Sequence, residues 1–116
     1  MAIKLAYQTL TWARYPKDFT VKDVTEEIKQ AGYKGVEYME SLEQLGDPQE
    51  LKKMLKGMGM TLVSLSSGVS GKRGDEESMK IAKARVDYAS EFGVKALMVG
   101  GGWRDPSRRT TEDDYK

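Results

Sequence analysis

The chain offers few residue types for chemistry. It contains no histidine and no cysteine. That removes the commonest general base and metal ligand, thiolate nucleophiles and any disulfide framework. What remains is a set of polar groups beside short apolar runs. Glu37 lies within Val36-Glu37-Tyr38-Met39, and a carboxylate in such a run must be paired or hydrogen-bonded to be buried. Gln8, Trp12, Ser66 and Gly100 fall at or just past the ends of other such runs. Ser66 and Ser67 either bind hydroxyl groups or cap a strand, and with no base in the chain neither is argued as a nucleophile. Glu40, one step beyond the run, reads as a solvated loop acid.

Two further groups invite an anion-binding reading. Gly100-Gly101-Gly102 would expose backbone amides, with Arg104, Arg108 and Arg109 close behind in the sequence. The pattern is neither a dinucleotide fingerprint nor a P-loop, and a tight turn with solvated arginines explains it as well. Lys72-Arg73 reads the same way. Glu76-Glu77 and Asp113-Asp114 suit the first turns of helices, where the dipole favours acids. The seven methionines read as core filling.

The elements that position these residues alternate strictly. Ile3 to Thr9 has a period of two and reads as a strand. Thr20, with Asp23 three residues on, starts a helix whose stripe is Val21, Val24, Ile28 and Ala31. Gly32 stops it, and Gly35 to Met39 forms the second strand. Asp47-Pro48-Gln49-Glu50 is a helix start, followed by the face Leu51, Met54, Leu55 and Met58 and a stop at Gly59. Thr61 to Ser66 is a third strand and Ser67 to Gly74 a loop. A third helix begins at Asp75, with Met79, Ala82, Val86 and Ala89 on one face and Ile81, Tyr88 and Phe92 flanking it. Gly93 ends it before a fourth strand, Val94 to Val99. Thr110 to Asp114 resembles the start of a fourth helix.

The order βαβαβαβ argues for parallel strands joined by right-handed crossovers. The expected fold is α/β, a single domain over residues 1–116 with four strands, three full helices and the start of a fourth. Two architectures fit. One is about half of a (β/α)8 barrel, whose whole needs about 250 residues. The other is a small open flavodoxin-like parallel sheet with helices on both faces. Glu37, Ser64 and Ser66 at alternate positions favour the barrel, since polar groups suit its interior near the catalytic mouth better than a face packed under a helix.

Several stretches resemble the sugar phosphate isomerase/epimerase family, the xylose-isomerase-like TIM barrels that include inosose dehydratases and ketose 3-epimerases. They are IKLAYQTLTW, the junction AGYKGVEYME, the third strand LVSLSSG and the block AKARVDYASEFGVKALMVGGG. The most specific piece is Gly32-Tyr33-Lys34-Gly35-Val36-Glu37, supported by Phe92-Gly93 and Gly100-Gly101. The resemblance covers the whole chain but only the N-terminal half of the family's domain. It implies metal-assisted proton transfer next to a carbonyl of a sugar or sugar phosphate. It also implies a divalent metal (such as Mn, Mg, Co or Zn), held by two glutamates, an aspartate and a histidine from later strands. Within this chain it points to substrate-binding residues, Glu37, Trp12, Gln8, Ser66 and Gly100, and assigns neither catalytic nor metal-ligating ones. In this reading Glu37 binds a sugar hydroxyl or supports the metal site from behind its ligands, and Trp12 walls a sugar ring. The alternative for Glu37 is a structural acid, hydrogen-bonded or paired with a lysine such as Lys4. The alternative for Trp12 is ordinary packing.

Composition bounds the partners. Nineteen Lys and Arg balance eighteen Asp and Glu, for a net charge of +1, so no global electrostatic case exists for nucleic acid or membrane binding. No apolar run approaches a membrane span and the N-terminus lacks a signal-peptide layout, so the expected location is cytoplasmic. A second class of function stands beside the enzyme: a non-catalytic half-barrel acting as a scaffold. Its free sheet edges predict a homodimer or higher self-association.

Overall fold

The computed structural model describes residues 4–13, 19–68, 76–100 and 111–115. Strand β1 (Ala6–Gln8) leads into a one-turn helix α1 (Leu10–Ala13) and then helix α2 (Val21–Gln30). Strand β2 (Gly35–Tyr38) is followed by a second one-turn helix, α3 (Leu42–Leu45), and by α4 (Pro48–Met58). Strand β3 (Thr61–Gly68), helix α5 (Glu76–Ser90), strand β4 (Met98–Gly100) and a terminal 3-10 turn (Glu112–Tyr115) complete the order.

Local chemistry accounts for the helix boundaries. Thr20 and Asp23 form a reciprocal capping box at α2, and the Thr20 hydroxyl bond, then the Thr20 amide, holds the Asp23 carboxyl below the usual carboxylate range. Asp47 accepts from the amides of Gln49 and Glu50 ahead of Pro48. Gly59 closes α4 in the left-handed conformation, φ 67°, where a side chain would be strained. Helix α3 was not expected, although Ser41 and Gln44 form a full capping box around it. With only four residues, its hydrophobic period is too short to read.

The four strands are parallel, in the order β1-β2-β3-β4, and form a curled half-barrel sheet. An order that never doubles back, with crossovers of one hand, places every helix on the same side. The core agrees. Val36 and Tyr38 of β2 and Leu62 and Leu65 of β3 join Ile28 of α2, Leu55 of α4 and Ala89 of α5 in one cluster. Among the described residues the sheet is thus covered on one face, where a flavodoxin-like sheet would be covered on both.

Register explains two departures from the sequence reading. Val36 stands opposite Leu62 but Glu37 stands opposite Ser64, so Val63 is an extra residue, a β-bulge in β3. Leu62 and Leu65 therefore both reach the core although they are three apart, while Val63 is exposed. The outer strands are also shorter than expected, three residues each. Leu5 precedes β1 as an exposed side chain.

Helix α5 is rotated from the expected stripe: Ala89 and the flanking Tyr88 and Phe92 do face the core, but the inward face is shifted to their side. Arg85, Tyr88 and Ala89 are buried, while Met79, Ile81 and Val86 are exposed. The rotation lets Arg85 reach the end of β2. Burial pushes the Tyr88 hydroxyl up to about 12, as it does that of Tyr38. Each hydroxyl has a partner: Tyr88 donates to the Gly46 carbonyl at 3.0 Å, and Tyr38 bonds the Thr25 hydroxyl on α2.

Candidate functional site at the strand ends

Three of the five expected site residues meet on the uncovered face. Gln8 stands directly opposite Glu37 across β1 and β2. Its amide nitrogen donates to Glu37 Oε1, and Ser66 Oγ on β3 donates to the same oxygen at 2.7 Å. The half-buried carboxylate of Glu37 is thus held by two neutral donors. No lysine neutralises it: the ion pair found among the described residues is Lys22–Glu26 on the surface of α2. The Lys4 pairing considered for Glu37 is not formed.

This arrangement follows from the backbone. Side chains alternate across a strand, so Val36 and Tyr38 enter the core and Glu37 takes the opposite face. The bulge at Val63 sets Ser64 and Ser66 on Glu37's side. Met98 of β4 extends the row, with its sulfur 3.9 Å from Gln8 Nε2. Gln8 and Ser66 together occupy one oxygen of Glu37. Glu37 Oε2 and the Gln8 amide oxygen carry no hydrogen bond among the described residues.

A second polar cluster abuts the first. Thr9, fully buried, donates to Glu40 Oε2 at 2.6 Å and accepts from the Met39 amide at 2.9 Å. The same amide lies 3.0 Å from Glu40 Oε2. Glu40 is therefore a structural acid and not the solvated loop acid expected. Arg85 Nη1 donates to the Glu40 carbonyl at 2.8 Å, and Nη2 lies 3.5 Å from the Tyr38 carbonyl. Burial pushes the guanidinium below its usual range, with the Glu40 charge opposing that shift. Arg85 Nε and Ser67 Oγ are buried without a hydrogen-bond partner.

The other expected residues lie elsewhere. Trp12 Nε1 donates to Glu27 of α2 at 2.9 Å, and its ring meets Tyr7 edge-on at 5.5 Å between centroids. Tyr7 points to the face opposite Gln8, so Trp12 packs on the helical side and not beside Glu37. Gly100 pairs with Gly68 on the edge strand. A side chain there would meet nothing closer than the Ser67 carbonyl at 3.8 Å, so the position does not demand glycine for space. Gly101, Gly102, Arg104, Arg108, Arg109, Lys72 and Arg73 lie outside the described residues. Thr9 and Arg85 were missed. Arg85 carried a signal, since it shares a helical face with Tyr88, Ala89 and Phe92.

Among the described residues no three His, Cys, Asp or Glu side chains come together as metal ligands, and no helix is long and apolar enough to cross a membrane. Comparison with protein-family models, curated proteins and solved structures finds no match.

Proposed function

We propose that this chain forms the N-terminal half of a sugar or sugar-phosphate isomerase/epimerase-like barrel and supplies part of its substrate wall. The observation that carries the reading is the Gln8–Glu37–Ser66 cluster at the C-terminal ends of three adjacent parallel strands, the end where barrels of this architecture place their sites. Fixing Glu37 through Oε1 leaves Oε2 and the Gln8 amide oxygen as preorganised acceptors. Neighbouring hydroxyls of a sugar are donors of matching number. The family-like junction Gly32 to Glu37 supports the same reading.

The ligands of the divalent metal that the resemblance implies belong to later strands, and among the described residues Glu37 and Glu40 are held in separate hydrogen-bonded clusters and not side by side as a ligand pair. In this reading the residues here bind and orient, and the acid/base groups come from other strands.

Saturation-transfer NMR with a panel of ketoses, aldoses and their phosphates tests the proposal. Binding at a Kd of about 1 mM, worth about 4 kcal/mol, is readily seen this way. Transfer to at least one sugar is expected, and its loss in Glu37→Ala and Ser66→Ala. Absence of transfer from every sugar overturns the reading.

A further inference from the structure

We infer that a second copy of this chain closes the sheet into an eight-stranded barrel, with β4 of each copy pairing β1 of the other. This inference rests on the open sheet edges and not on the sugar reading, whose acid/base groups a second copy would not supply. Among the described residues, β1 pairs only with β2 and β4 only with β3, so each has one open edge. An open edge of a curled parallel sheet accepts a strand running the same way at the same end of the barrel. For β4 that is what β1 of a copy rotated by half a turn about the barrel axis provides, and the same rotation satisfies the other edge. Both contacts are then identical and the ring closes, so no edge remains to propagate. Apolar surface lies where the contact would form. Leu5 beside β1 is 61% exposed, and Met98 and Val99 on β4 are 43% and 53% exposed.

The register of the new contact follows from barrel geometry. Eight strands with a shear of about eight leave a displacement of about four residues for each half. Along the pairings, Gln8 faces Glu37 and Glu37 faces Ser64, two residues before the Ser66–Met98 pair. A four-residue displacement in one sense places Met98 opposite Ala6 of the second copy. In the other sense it would run past Gln8, where β1 has ended in α1. The facing also matches. Met98 shares the Gln8 face, and Ala6, two residues before Gln8, lies on that face too, so the two side chains meet inside the barrel.

Sedimentation of the unmodified chain and cysteine cross-linking test this together, and the absence of native cysteine keeps the second clean. The expected mass is twice the 13.0 kDa of one chain at about 100 µM, a concentration that detects association of about 5 kcal/mol or stronger. Ala6→Cys and Met98→Cys chains, mixed and oxidised, should form a covalent heterodimer, and neither should link when oxidised alone, since each strand meets the other kind. Val99→Lys should weaken the dimer about tenfold, as charge on an edge strand does. A monomer at that concentration overturns the inference, as something other than a second copy would then cover the edges. So does a mass beyond two chains, or linking of Ala6→Cys to itself as readily as to Met98→Cys.

Discussion

Arg85, on the third long helix, donates from Nη1 to the main-chain carbonyl of Glu40 at 2.8 Å. The contact ties α5 to the end of β2, directly beyond Glu37. Arg85→Met keeps the aliphatic bulk and removes the donors, so the part-buried Glu40 carbonyl loses this partner. The expected loss is about 1–3 kcal/mol, seen as a lower urea midpoint at unchanged slope. Arg85→Lys should recover only part of it, because one ammonium cannot reproduce the planar fork. A stability within about 0.5 kcal/mol of the parent for Arg85→Met would show that the clasp carries no weight.

Gly35 is confined by its neighbours. A Cβ built there would lie 2.8 Å from Val63 Cγ1 and 2.9 Å from the Ala6 Cβ. Gly35→Ala should therefore destabilise by about 1–3 kcal/mol through overpacking. Adding Val63→Ala should return part of that loss, and a double-mutant cycle measures the coupling. Strict additivity of the two changes would contradict the close approach.

Alkaline pH should unfold the protein before its tyrosines titrate normally. Burial raises the Tyr38 hydroxyl from 10.0 to about 12, and Tyr88 follows in the same direction. A folded-state pKa above the unfolded one contributes stability that is complete below pH 10 and is lost as pH rises towards 12. For Tyr38 this amounts to roughly 2–3 kcal/mol. Circular dichroism against pH should show a transition in that window, displaced upward in Tyr38→Phe. A transition at the same pH in both proteins would assign it to other groups.

Asp47 caps α4 with two amide bonds. Asp47→Ala should lower stability by about 1 kcal/mol, while Asp47→Asn should restore most of it, since the amide oxygen still accepts. Thermal melts of the two variants decide this, and equal losses would point to the charge instead of the hydrogen bonds.

The parts of the fold legible in the sequence are those written in local chemistry. Thr20–Asp23, Asp47–Pro48 and Gly59 mark helix ends because caps act over a few residues. The meeting of Gln8, Glu37 and Ser66 was legible as three polar residues on one strand face, once parallel pairing set neighbours side by side. Other features depend on distant partners. Glu40 looked solvated because Thr9, its partner, lies 31 positions away. Trp12 looked like a ligand wall because nothing local shows that Glu27 holds its ring nitrogen. Met79 and Val86 looked buried because an apolar stripe does not reveal that Arg85 has a carbonyl to reach.

The bulge at Val63 has a consequence for how this strand tolerates change. Upstream of it β3 counts faces in one phase and downstream in the other, so the leucines and serines are correctly placed only because one residue is left out of the count. Deleting Val63 should bring Leu62, Ser64, Leu65 and Ser66 into an uninterrupted ladder with the same facing. Inserting a residue after Ser64 should invert everything beyond it, swinging Ser66 under the helices and Leu65 into the open. A strand that accepts a deletion at one position and rejects an insertion two places away keeps its reading frame in the backbone, not in the alternation of its side chains.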